Sequence, residues 1–539
     1  MKFTSALKRP HWPWPHMDIP EVARQAGNHN FYTPNSGFVA VDMDGGWKAD
    51  LGEAANSKRL WLNSLISAHA CLECGIQNPA ESQNHFATAA GIVKSYLEGC
   101  DTAQGVFQDA WRDEHAVANR LFVLTAFIHY ASRQDVLGPD SEIAIIGQII
   151  PVETLFLHAV VHAEWLHSDH HYVKNNHGVM MDLALAQFSV IARETDKTLA
   201  DKYRIKCVSR LEMMLELTFD KDGCCTENSS TYHFVNHGLF SKARDFLLEY
   251  ELIECGEKWE DALGKARHVG DLFLRSNKTL PLVGDSETML GTFFPGAESD
   301  DRYGLGYYPD AGFFVVSQPD FHMTLRAGGM TYSHRHIDDL SLTLQYRGKD
   351  FIVDCGMYNY DIQDKLRRWF ISSRAHSGIY VESMGDVRFA NFKSPQDMSR
   401  FTSLEGHASH FNIRAAHNLS AEVEVERLVS YGDNSLMIED SFCSAHSQSW
   451  RMQLNLHPDV SVHSLDHKGG FRLENGSASL CIWFDQRFDV QIENIHYSPT
   501  FMCLGKSKAL VMKGDGDSLM ARTKIDFGAT QLMGASSPQ

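Results

Sequence analysis

The feature that most constrains this chain is a change in the period of its apolar residues. The spacing is helical in the first half and strictly alternating in the second. Between about residues 55 and 290, Val117, Leu121, Leu124 and Ile128 recur at intervals of four, three and four, and Met181, Leu185 and Phe188 repeat the pattern. The connections are short and polar, as in SRQDVLGPD over 132–140, which predicts antiparallel helix pairs. After about residue 305 the period becomes 2. Leu340, Leu342, Leu344 and Tyr346 alternate with Ser341, Thr343 and Gln345, RGKD makes a turn, and FIVDCG begins the return strand. Val423 and Val425 alternate with Glu422, Glu424 and Glu426 in the same way, and SLCIWF continues the pattern. At 539 residues the chain is too long for one core. A helical half followed by a strand-only half predicts separate α and β domains. The expected boundaries are an extension over 1–50, a helical domain over 51–300, a β domain over 301–530 and a tail over 531–539, with the join near GAESDDRYGLGYYPD.

A formal charge of −19 argues against nucleic acid as a partner, because phosphate binding needs a basic face. It leaves an anionic sugar open, since a cleft can be locally basic on an acidic protein. The N-terminal stretch has no apolar run of signal-peptide type, and every apolar run is broken by charge too soon to cross a membrane. The expected compartment is the cytoplasm, with no membrane partner; a periplasmic chain that had lost its leader would look the same. The eleven cysteines are scattered without a disulfide framework, so reduced thiols are expected. Cys71 and Cys74 form a CxxC within a helical stretch and Cys224 is followed by Cys225; with no second CxxC, both pairs read as structural.

Three polar clusters lie far apart in the sequence, as they do when distant loops assemble a site. Asn175-Asn176-His177-Gly178 opens the helix that contains Met181. An Asn there is a good N-cap; it also places an amide, an imidazole and backbone N–H groups where an anion such as a uronate carboxylate binds. Glu227-Asn228-Ser229-Ser230-Thr231-Tyr232-His233 precedes a second helical run. Tyr232 there reads either as a packed aromatic or as an acid–base group, the latter only beside a charged partner. Ser333-His334-Arg335-His336-Ile337-Asp338-Asp339 leads into the alternating strand, and in an extended chain His334 and His336 point the same way. Asp354 follows at the end of the return strand and His376 in RAHSG. These are either surface histidines on a β-edge or N/O ligands suited to a divalent metal, zinc first.

Taken in order, Asn176-His177, Tyr232-His233 and GGMTYSHRHIDDLSLTLQYRGKDFIVDCGMYNY resemble the heparinase II/III-like polysaccharide lyases. The last segment carries that family's HxHxD followed by LS, a strand, a Gly turn and a D-x-G-x-Y-x-Y run, and the resemblance spans roughly 110–380. It implies an N-terminal α/α toroid followed by an antiparallel β-sandwich, in agreement with the change of period. It implies that Asn176 binds the uronate carboxylate with His177 beside it, and that Tyr232 is the proton donor and, for some epimers, also the base. His334 would be the partner imidazole across the cleft. His336, Asp354 and His376 would hold a structural Zn2+, although Ser377 follows His376 where the family usually has Asn. The implied partner is an acidic polysaccharide or oligosaccharide, and a homodimer is compatible with the resemblance.

The implied reaction is β-elimination beside a uronate. The C5 proton becomes acidic only when the carboxylate charge is countered, and preorganised donors for such a charge matter by about 2.7–4 kcal/mol each. Lys174, Arg335, Arg367, Arg368 and Arg374 are further cations that could grip carboxylates or sulfates. A glycoside hydrolase on a similar toroid would need a pair of carboxylic acids, for which Asp113, Glu114 and Asp169 are the material. A non-catalytic glycan-binding protein could keep the fold and the zinc without Asn176, Tyr232 and His334 together.

Overall fold

The structure is a computed structural model that describes residues 7–8, 17–34, 36–78, 80–132, 143–254, 256–288, 303–381, 398–420, 423–465 and 469–527. Residues 133–140 of the connecting turn, 296–302 of the expected join and the tail lie outside the described residues. The chain divides into two compact units, one of residues 1–216 with 239–259, the other of residues 217–238 with 260–539.

Among the described residues the first unit is helical apart from a hairpin pairing Asn30–Thr33 with Gly37–Ala40. At its centre the helix Glu114–Ala131 packs against Val152–His167 and Asn176–Ala192. The apolar stripe of Val117, Leu121, Leu124 and Ile128 is buried as expected, but so is every other residue from His115 to Ala131. The reason is position: with helices on several sides, no face of this one meets water, so its polar residues must be satisfied internally. Arg120 donates to His162 Nε2 at 3.0 Å and to the carbonyls of Asn63 and Ala110. Asp113 caps the helix by accepting from the N–H groups of His115 and Ala116.

In the second unit two antiparallel sheets pack face to face. Five strands from Gly304 to Ile352 form a meander in sequence order, and a ten-stranded sheet follows with the long strands Ser435–Asn455 and Gly505–Asp526 side by side. Phe314, Leu342 and Leu344 of the first sheet share one core with Phe411, Ile413, Val425 and Ile438 of the second. Val423, Val425 and Val429 point inward as their alternation predicts, and Arg427 points inward with them. It forms a two-pronged ion pair with Asp440 at 2.6 and 2.9 Å and donates to the carbonyls of Leu340 and Ser377. One guanidinium thus ties the second sheet to the segments that follow His336 and His376.

Two details differ from the sequence expectation. The hairpin turn is Arg347-Gly348 alone, both with positive φ (49° and 69°), and Lys349 and Asp350 already pair with Tyr346 and Gln345. Two left-handed residues make the turn whose twist matches the flanking strands. The polar face of Leu342–Tyr346 is also covered: Thr343 Oγ1 meets Thr324 Oγ1 at 2.7 Å, and Gln345 bonds Ser276 and Asp350.

The ten described cysteines are free thiols. Cys71 and Cys74 share the helix Ile66–Gln77 and, among the described residues, belong to no cluster with metal-ligand spacing. No helix of the described residues is long and apolar enough to cross a membrane.

Candidate active site

The site in the second unit starts from a tight loop. Phe219 bridges Cys225, the Thr226 N–H bonds the Thr218 carbonyl, and Gly223 turns at φ 88°. The loop ends at Ser229, whose hydroxyl accepts from the Tyr232 N–H at 3.1 Å and so caps the helix Ser230–Glu249. Tyr232 is therefore held in the first helical turn. His233, next to it, is wholly internal: it accepts from the Cys225 N–H and bonds the Ala266 carbonyl at 2.7 Å.

His334 comes to Tyr232 on a different segment. The extended course expected for His334 to His336 is not found; the segment is a loop, and His334 sits in the left-handed region at φ 56°. Asn228, also left-handed at φ 58°, explains how the loop is held. Its buried carboxamide donates to the carbonyls of Thr331 and Ser333 at 2.8 and 3.0 Å and accepts from Arg326. Gly284 closes the arrangement at φ 63°, where a Cβ would run into the carbonyls of Asn228 and His334.

The result is a stack: the Tyr232 and His334 rings lie 3.5 Å apart between centroids and within 13° of parallel. The Tyr232 hydroxyl is 3.1 Å from that of Tyr360, and the Tyr360 ring is half exposed beside Phe501. Desolvation, then Tyr360 and the carboxylates of Asp285 and Glu227, push the Tyr232 phenol well above its ordinary pKa, so it is protonated at neutral pH. On the far side of His334, Nδ1 is 3.2 Å from Asp285 Oδ2, and Nε2 is 3.6 Å from Glu227 Oε2.

Asp285 is the hub. Its carboxylate also receives His336 Nε2 at 2.9 Å and the Arg367 guanidinium on both oxygens. Burial alone would raise its pKa, but the hydrogen bonds from the two histidines and the charge of Arg367 hold it well below the usual carboxylate range.

Behind His334 lies the candidate metal centre. One donor atom from each of His336, Asp354 and His376 lies within 4.8 Å of the other two, all buried. His376 Nδ1 bonds Asp354 Oδ2 at 2.7 Å. His336 Nδ1 and His376 Nε2 are buried and, among the described residues, have no hydrogen-bond partner. Two orphaned imidazole nitrogens beside a carboxylate are a donor set that fits a divalent cation of the zinc type. Ser377 donates to the Val353 carbonyl and accepts from the Asn455 N–H, which fixes the segment after His376.

Asn176 and His177 belong to the first unit. Asn175 is the N-cap, accepting from the His177 N–H at 2.9 Å, and Asn176 is the first helical residue. Asn176 is partly buried. His177 Nδ1 bonds Glu114 Oε1 at 2.8 Å, and its ring packs on His115. The preceding loop is clamped by Arg210, which donates to the carbonyls of Leu166 and His167, pairs with Asp169 and covers the Tyr172 ring, whose hydroxyl bonds buried Asp182.

Of the five cations singled out in the sequence, Arg335 and Arg367 are internal, the former paired with Asp339. Lys174, Arg368 and Arg374 are exposed. Asn228, Asp285 and Tyr360 were not anticipated. Tyr360 was visible as the last residue of the D-x-G-x-Y-x-Y run, and Asp285 as the acid after a glycine turn in LPLVGDS; neither pattern by itself indicates chemistry.

Residues 301–526 match the family model described as heparinase II/III-like, C-terminal. Among solved structures, Heparinase III is similar with a TM-score of 0.77 at 14% identity, covering 98% of this chain and 87% of that one. A mutant of heparan sulfate lyase HepC from Pedobacter heparinus gives 0.67 at 15%, covering 96% and 85%. Chondroitinase AC lyase gives 0.56 at 9%, covering 95% and 81%. No curated protein matches the chain in sequence. At these identities the likeness is one of fold, and it is the fold class expected from the sequence, an α/α toroid followed by an antiparallel β-sandwich. With its C-terminal match over residues 301–526, its HxHxD segment and this fold, the chain is similar to the heparinase II/III-like family.

Proposed function

We propose that the protein is a polysaccharide lyase that cleaves a uronic-acid-containing glycan by β-elimination and leaves an unsaturated uronate end. The observation that carries this reading is the stack of a protonated phenol, Tyr232, on the imidazole of His334. An acid and a base in contact are what elimination needs. The base takes the C5 proton, that electron pair forms the C4–C5 double bond, the C4–O bond breaks, and the departing oxygen takes a proton from the acid. His334 is assigned as the base at Nε2 and Tyr232 as the acid; Tyr360, bonded to the Tyr232 hydroxyl, orients it. Asn176 and His177 keep the role that the resemblance implies, recognition of the uronate carboxylate.

His336, Asp354 and His376 are proposed to hold Zn2+, which when bound supplies charge and a cross-link between their three segments. The chain's own residues do the rest: His336 and His334, two positions apart, share Asp285, so the loop that carries the base is anchored at the ligand.

The substrate class proposed first is glycosaminoglycan, because the similar folds include a heparan sulfate lyase and a chondroitinase. The hydrolase alternative loses its material. Asp113 caps a helix, Glu114 bonds His177, and Asp169 pairs with Lys206 and Arg210. The deciding experiment incubates the purified chain with heparan sulfate, chondroitin sulfate, hyaluronan and alginate while following ultraviolet absorbance and reducing ends together. Both signals rise for a lyase. Reducing ends without absorbance mean hydrolysis, and binding without either means a non-catalytic protein.

A further inference from the structure

Asp285 lies 49 and 51 residues from His334 and His336, yet its two oxygens contact one ring each. Its backbone is fixed from three sides. The Asp285 N–H donates to the His334 carbonyl at 3.1 Å, its carbonyl accepts from the Ser229 hydroxyl at 2.9 Å, and Gly284 before it makes the left-handed turn. Ser229 is the residue that caps the Tyr232 helix, so carboxylate and phenol are placed by one hydroxyl.

A carboxylate gripped through both oxygens by a guanidinium is an acceptor only. The ring nitrogen that faces it must carry the hydrogen, and in a neutral imidazole the other nitrogen then carries the lone pair. For His334 the hydrogen is on Nδ1, because Asp285 Oδ2 is within hydrogen-bond reach at 3.2 Å whereas Glu227 Oε2 stands 3.6 Å from Nε2, beyond it; Nε2 is left as the acceptor. For His336 it is on Nε2, which leaves Nδ1, the buried nitrogen without a partner among the described residues. Arg367 Nη1 is 3.5 Å from His336 Nε2, farther than the 2.9 Å to Asp285 Oδ1, and is already engaged with that oxygen.

We propose that Asp285 is a positioning residue that sets both tautomers at once, directing Nε2 of His334 to the hydrogen it is to remove and Nδ1 of His336 to a divalent cation. The His334 half rests on the lyase reading for its purpose, whereas the tautomers themselves do not. The two rings are opposite tautomers because one aspartate meets them through different nitrogens. A single side chain thereby couples the reactive imidazole to the metal centre.

The test uses the full chain, freed of metal with a chelator and labelled with nitrogen-15 in its imidazoles, and reads ring protonation from long-range proton–nitrogen correlations. His334 is identified by the signals missing in His334→Gln, and His336 as a ring that shifts when Zn2+ alone is added. His334 is expected to be protonated at Nδ1, and one zinc-responsive ring at Nε2. In Asp285→Asn a carboxamide faces two N–H donors with only one acceptor, so at least one ring changes tautomer. Zinc affinity, measured by chelator competition, is expected to fall about 10–100-fold, and kcat to fall with KM little changed. Protonation of His334 at Nε2, or no zinc-responsive ring protonated at Nε2, overturns the proposal on the wild-type chain alone, even if Asp285→Asn does not fold. A folded Asp285→Asn with both tautomers and zinc affinity unchanged overturns it equally. The tautomer and zinc readouts need no glycan, so a chain that cleaves nothing would end the lyase reading and leave the tautomer result to stand or fall separately.

Discussion

The phenol of Tyr232 and the imidazole of His334 lie in ring-to-ring contact, 102 residues apart in sequence and 3.5 Å apart between centroids. The contact orients both groups without using the hydroxyl, which is left to Tyr360. Tyr232→Phe therefore keeps the stack and removes only the proton. We expect kcat to fall by about 10²–10⁴-fold. The loss of one hydrogen bond costs about 0.5–1.5 kcal/mol, so thermal unfolding should be little changed. A variant with wild-type turnover would take Tyr232 out of the reaction.

The pH dependence has a definite sign. Desolvation and the nearby carboxylates raise the Tyr232 pKa above its ordinary value, so the acid form persists to higher pH than for a free phenol. The alkaline limb of kcat/KM contributed by this group is expected above about pH 10. A limb near neutrality that disappears in Tyr232→Phe would show that the phenol ionises early and that its assignment as the acid is mistaken.

His336→Ala removes a candidate ligand and the hydrogen bond to Asp285 together. Stability is expected to fall by at least about 1–3 kcal/mol, with loss of bound zinc by elemental analysis and loss of turnover. A chelator should lower the melting temperature of the wild-type chain and leave that of His336→Ala unchanged. Equal responses in the two proteins would detach the metal from these residues.

Arg427 and Asp440 are both buried. Arg427→Met leaves the Asp440 charge without its partner and should cost about 3–5 kcal/mol. The double variant Arg427→Met with Asp440→Leu should recover much of that loss. Part will remain, because the carbonyls of Leu340 and Ser377 still lack their donor. Chemical denaturation of the three proteins measures this; full additivity of the two changes would mean that the pair is not coupled.

Gly178 stands where a Cβ would run into the Val173 carbonyl and the Tyr172 ring. Gly178→Ala should displace the loop before Asn176 and cost about 1–3 kcal/mol. If Asn176 recognises the uronate, KM should rise more than kcat falls. Unchanged kinetics in a destabilised variant would separate this helix start from substrate binding.

The spacing of apolar and polar residue types along the chain was enough for the two fold classes. Val117 to Ile128 and Val423 to Val429 bury as their periods require, because a helix and a strand each expose a regular face to whatever covers it. The HxHxD segment likewise identified His334 and His336 as candidates, joined by Asp354 at the end of the return strand and His376 in RAHSG. Period could not say how many faces are covered: Glu114–Ala131 is enclosed on all sides and Leu342–Tyr346 on both. Nor could local pattern show that His334 leaves the extended course, since its left-handed backbone is imposed by Asn228 and Gly284 from other segments. That Asp285 faces both histidines and that Tyr360 reaches Tyr232 emerges only from the packed chain. Hydrogen bonds between residues tens of positions apart depend on how whole elements pack, and a linear spacing carries no record of that packing.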